Sequence, residues 1–139
     1  MGRNQVPDIR LGRIGDRSES GCTRVLVDRL WPRGVRREAA LWDYWYPKVA
    51  PSTELRRWLH AHRTQYPAFC QRYLAELDDA EPGAGLLELA AFASHRPLLL
   101  LTAARQWQES HLPVIRQAIL ALMPDQTTIP ADLTDTTLT

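Results

Sequence analysis

Asp28, Arg29 and Arg33 stand close together in the run VLVDRLWPRG at 25–34. A carboxylate placed there could move a proton, and guanidinium forks could hold a phosphate or carboxylate. A second set, Thr102, Arg105, Ser110 and His111, follows the apolar run LLLL at 98–101. Its histidine could share the proton transfer, while Arg105 and the two hydroxyls could hold an anion. Asp28 and His111 are therefore the candidate catalytic residues. Arg29, Arg33, Thr102, Arg105 and Ser110 are the candidate ligand-binding residues. A purely structural use of the first set is as concrete. Asp28 could pair with Arg29 or Arg33, Trp31 and Pro32 could cover a sheet end, and Gly34 could supply an unusual dihedral.

Other constellations are weaker. Cys22 and Arg29 superficially outline a phosphatase loop, but that motif needs five intervening residues and here there are six, filled by β-prone side chains. His60-x-His62 near a helix end would splay its rings apart, with no adjacent Cys or carboxylate, so no metal site is expected. Lys48 has no surroundings that foretell burial, and it reads as a solvated amine. No cofactor is implied. Trp42, Tyr44, Trp45, Tyr46 and Trp58 lie beside Arg36, Arg37, Arg56 and Arg57, an arrangement that could stack nucleobases. Core packing and contact with a second copy are the commoner uses of such aromatics, and a net charge of +1 gives nucleic acid no general support.

These side chains need elements to position them. Residues 8–14 alternate polar and apolar, the period of a half-buried strand, and 23–27 is β-branched and apolar. The two could form an antiparallel ribbon across the polar loop 15–21. Residues 36–45 read as a short, poorly defined helix. Ser52 caps a helix over 53–61, with Glu54 favoured in its first turn. A helix beginning at Tyr66-Pro67 carries the stripe Phe69, Cys70, Tyr73, Leu74 and Leu77, and ends before Pro82-Gly83. Another covers about 85–94, and a last one runs from Ser110 to Met123. The run 98–101, short, apolar and bounded by a breaker, suits a strand buried on both faces.

Strands separated by helices predict an α/β fold, a small layered domain with a short, at least partly parallel sheet flanked by helices. The strands at 25–27 and 98–101 would be parallel neighbours, because the crossover between them holds several helices. Both charged sets would then meet at the carboxyl edge of the sheet, where open α/β sheets bind ligands. A chain of 139 residues, 45% hydrophobic, suits one domain, placed at 1–123, followed by a polar, threonine-rich tail at 124–139, expected to be mobile or held by a neighbour. No run approaches a membrane span and the first residues lack a signal-peptide core, so a cytoplasmic protein is expected. Cys22 and Cys70 would be reduced thiols there.

The motif VLVDRLWPRG, with Asp43, Trp45, Ala50-Pro51-Ser52, Glu54-Leu55-Arg56, Phe69, Arg72-Tyr73 and Glu76-Leu77, resembles the YeaO-like group, domain of unknown function 488. The resemblance runs from about Ile9 to Met123. It implies a small bacterial protein and brings no reaction with it. Against the group's pattern, Pro47-Lys48 stands where Lys-Glu is usual. After the buried strand Thr102 fits a small hydroxyl position and His111 fits the group's histidine. Arg105 replaces a lysine with a one-residue shift, and Ser110 replaces an asparagine. The leading functional expectation is a site for a small anionic metabolite, possibly phosphate-bearing, at the strand ends. The alternative is a non-catalytic interaction module built on the aromatic segment 42–58.

Overall fold

The computed structural model describes residues 7–16 and 20–123, so the expected tail at 124–139 lies outside the described residues. Four strands, β1 (Ile9–Arg13), β2 (Thr23–Leu26), β3 (Tyr44–Trp45) and β4 (Leu98–Thr102), form one sheet in the order β1-β4-β2-β3. Every pairing is parallel. The expected α/β layered fold with β2 and β4 as parallel neighbours is therefore observed. The antiparallel ribbon of β1 and β2 is not, because β4 sits between them and bonds to both. The reason is hydrophobic: all five β4 residues are buried, and only a central position hides both faces of such a strand.

The two faces are covered differently. Leu98 and Leu100 join Ile9, Val25 and Val27 beneath the helices α1 (Thr53–Ala61), α2 (Tyr66–Leu77), α3 (Ala80–His95) and α4 (Leu112–Leu122). Leu99 and Leu101 point the other way, into a smaller cluster with Cys22, Leu26 and Trp42, against which Trp31 and Trp45 pack. That second face has no α-helix among the described residues. The crossover from β2 to β3 covers it, with Trp31 meeting Trp42 and Trp45 edge-on at centroid distances of 5.0 and 5.4 Å. Arg37 lies 4.2 Å over the Trp31 ring, a cation–π contact that closes the cluster toward solvent.

The local signals hold where they are periodic and capped. Ser52 accepts the Leu55 N–H at 3.1 Å and starts α1 where expected. In α2 the stripe is narrower than expected: Phe69, Tyr73 and Leu77 are buried one turn apart, whereas Leu74 is exposed. Residues 36–45 are not a helix. They hold a single 3-10 turn, Arg37–Ala39, and then β3, because Tyr44 and Trp45 take their backbone bonds from β2 and Asp43 is drawn to Arg24 at 3.0 Å. Helix α3 starts five residues earlier than its expected start at 85, with Pro82 in its first turn where a missing N–H costs nothing. A Cβ on Gly85 would come within 2.6 Å of Val49 Cγ1, so glycine lets α3 press against the segment that leads into α1. No described helix is long and apolar enough to cross a membrane.

Candidate functional site

Both charged sets meet at the carboxyl ends of β2 and β4, as the parallel arrangement requires. A cleft of about 770 Å³ opens there and is lined by Asp28, Arg29, Thr102, Arg105, Ser110 and His111, among others. Of the candidate residues only Arg33 stands outside its lining, exposed on the turn that Gly34 makes with φ 77°. Arg33 follows Trp31 and Pro32, which line the cleft, and its own side chain is exposed to solvent.

Asp28 is fully engaged by the protein. Its Oδ1 accepts the Thr102 hydroxyl at 2.6 Å, and its Oδ2 accepts the Ala103 N–H at 2.8 Å. His111 Nε2 lies 3.2 Å from Oδ1 and 3.0 Å from the Val27 carbonyl. A carbonyl only accepts, so Nε2 carries the proton. Burial by itself pushes the Asp28 carboxyl up. The hydrogen bond and charge of His111, with the Ala103 N–H and the Thr102 hydroxyl, outweigh it and hold the group below its ordinary value. Asp28 thus pairs with neither Arg29 nor Arg33. It ties β2 to the loop after β4 and to the start of α4.

Arg29 makes a comparable tie in the opposite direction. Its Nε donates to the Pro51 carbonyl and its Nη2 to the Ala50 carbonyl, both at 3.0 Å. The next residue, Ser52, donates its N–H to Glu76 at 2.8 Å and its hydroxyl to the same carboxylate at 2.5 Å. Buried Tyr73 donates to the Val49 carbonyl. One strand end, the lead into α1 and the face of α2 are thereby joined through charged and polar groups that all have partners.

Ser110 is buried, and its hydroxyl donates to the Trp107 carbonyl at 2.7 Å and accepts the Leu112 N–H at 3.1 Å. Helix α4 therefore begins two residues later than expected, and the first N–H of its opening turn is already bonded. The Ala104 N–H is bonded to Thr102 Oγ1 at 3.1 Å. Arg105 is different. It is exposed at the cleft and, among the described residues, no carboxylate pairs with it.

The structure adds residues that the search for motifs did not select as a site. Arg56, His60 and Arg63 line the cleft from α1 and the turn after it. Arg56 and His60, four apart, share one face of α1, a signal available in the sequence, and Arg63 joins them from the following 3-10 turn. Arg56 has no carboxylate partner among the described residues, while Arg63 donates to Gln106 at 3.2 Å and joins the two walls. Below them are buried Leu59 and Phe69, and Leu30, Trp31 and Pro32 continue the apolar lining. The lining holds four Arg against the carboxylates of Asp28 and Glu109.

The remaining candidates have other surroundings. His62 Nδ1 is 2.8 Å from the Trp58 carbonyl and its ring stacks on Trp58, so it turns away from His60. No group of three or more potential ligands is arranged for a metal among the described residues. Lys48 lies 3.5 Å from Glu88, an ordinary half-exposed pair. In the aromatic segment Trp42 is buried, Trp45 donates to the Asp28 carbonyl at 2.8 Å, and Tyr44 stacks on Phe92. Most of that segment is occupied internally.

Residues 8–135 match the sequence profile of DUF488-N3i, described as the inactive DUF488-N3 subclade. The chain is 37% identical over 116 residues to the uncharacterized protein YeaO of Escherichia coli K12, covering 83% of this chain and 99% of that one. It is 38% identical over 112 residues to the uncharacterized protein Rv3073c of Mycobacterium tuberculosis H37Rv, covering 80% of this chain and 92% of the other. No solved structure matches.

Proposed function

The chain belongs to the YeaO-like DUF488 family, in the subclade described as inactive, and from that premise we propose that the cleft binds a small organic anion without transforming it. One observation carries this reading. Asp28 and Arg29 are engaged by the protein itself, whereas Arg56 and Arg105 stand at a cleft of about 770 Å³ with no carboxylate partner among the described residues. Guanidinium forks left free at a concave site are the groups that grip carboxylate or phosphate bidentately. Asp28, Thr102 and His111 shape the site by holding the strand-end loops together. The description of the subclade as inactive supports binding over turnover. A cytoplasmic setting belongs to the same proposal, since two cysteines in 139 residues are too few for a disulfide framework.

A screen of thermal denaturation against organic acids, sugar phosphates and nucleotides tests this. A ligand at a hundred times its Kd stabilises the native state by about 2.7 kcal/mol. At least one anion should raise the Tm of the wild type and not that of the Arg56→Ala/Arg105→Ala variant. A panel in which no anion shifts the wild type, or in which both proteins respond equally, sinks the reading. A second reading, proton transfer by Asp28 and His111, has their 3.2 Å approach in its favour. It requires that a bound anion be converted to product and that His111→Gln abolish the conversion.

A further inference from the structure

The cleft's donors and walls differ in kind, and the difference restricts the anion. Phosphoryl groups in α/β folds are usually gripped by backbone N–H groups at strand-end turns and helix starts. Here three of those donors are already taken. The Ala103 N–H bonds Asp28, the Ala104 N–H bonds Thr102, and the Leu112 N–H bonds Ser110. On the rim, Arg56 and Arg105 offer guanidinium forks, each able to hold a planar carboxylate through two parallel hydrogen bonds. The walls are largely apolar, with Leu59 and Phe69 buried beneath and Leu30 67% exposed at the mouth. A compact inorganic anion would leave most of the roughly 770 Å³ unfilled and would lose its hydration against hydrocarbon.

We propose that the site takes a carboxylate carried on an apolar ring or chain, gripped by Arg56 and Arg105 and covered by Leu30, in preference to a phosphoryl compound. This rests on the anion reading above and narrows it. Leu30 is the side chain that the body of such a ligand would shield. Its exposure, ordinary for a surface leucine, then has a use.

The test is direct titration of the full chain with four probes: 2-naphthoate, 2-naphthyl phosphate, 2-naphthylmethanol and inorganic phosphate. The carboxylate should bind saturably and at least about tenfold more tightly than each of the others. Arg56→Ala/Arg105→Ala should weaken it by about tenfold or more, and Leu30→Ser by about threefold, with Tm unchanged in both variants. Tighter binding of 2-naphthyl phosphate overturns the carboxylate preference and leaves the anion site standing. Inorganic phosphate binding as tightly as 2-naphthoate, or a Leu30→Ser variant of unchanged affinity, overturns the apolar body. Equal binding of the neutral alcohol, or no binding by any probe, overturns both this inference and the anion reading.

Discussion

The strand-end clamp and the cationic rim lie at the same cleft and treat charge in opposite ways. In the clamp, Asp28, Ser52 and Glu76 are part-buried, Arg29 is exposed but bonded, and each has partners within the protein. On the rim, Arg56 and Arg105 are exposed and have no carboxylate partner among the described residues. All four clamp residues belong to the family motif. A partly buried charge tolerates little variation, because losing either partner leaves the other desolvated and unpaired. A rim guanidinium carries no such cost and is free to serve a ligand. Arg105 lies outside the family motif, whereas Arg56 belongs both to the motif and to the cleft lining.

The sharpest break of this comparison is Asp28→Ala. It removes the acceptor for the Thr102 hydroxyl and the Ala103 N–H together and should cost about 3 kcal/mol in urea denaturation. Arg29→Ala leaves the Ala50 and Pro51 carbonyls without their donor and should cost about 2 kcal/mol in the same measurement. A loss under 0.5 kcal/mol in either would mean that the clamp is not a clamp. Ser52→Ala removes the α1 cap and one partner of Glu76, with an expected cost of about 1 kcal/mol.

Acid titration sharpens the same contrast. The Asp28 pKa is held below its unfolded value, so its contribution is complete above the ordinary Asp range of about 3.9. As pH falls through that range toward the folded value, the unfolded chain takes up the proton first and the contribution is lost. Asp28→Asn should flatten this part of the acid limb in a stability-versus-pH series. An unchanged limb would assign acid sensitivity to other carboxylates, such as Asp43, which the hydrogen bond from Arg24 also holds low. The smallest expected effect is on the rim. Arg56→Ala/Arg105→Ala should leave Tm within about 2 °C of wild type while abolishing its response to an anion.

Much of the layered fold was legible because its signals are local. The buried strand at 98–101, the cap at Ser52 and the one-turn spacing of Phe69, Tyr73 and Leu77 are each written within a few residues. The 36–45 segment is not legible in this way, for the converse reason. Its aromatics satisfy their backbone in β3 against β2, a partner some twenty residues away in the chain. The meeting of Asp28 with Thr102 and His111 was anticipated only as far as parallel strands bring their ends together. That Arg29 would turn to the Ala50 and Pro51 carbonyls had no sequence signal, since a side chain's choice of a distant carbonyl has no periodicity.

By itself, then, the sequence determined the family, the parallel α/β layering and the edge of the sheet where charged groups gather, because burial period, capping and crossover length act over short stretches. Tertiary structure alone decided which of those charges stay available. Asp28 and Thr102 are 74 residues apart, and Ser52 and Glu76 are 24 apart. Only the closed fold brings such pairs within hydrogen-bond distance, engages them, and leaves Arg56 and Arg105 facing the cleft.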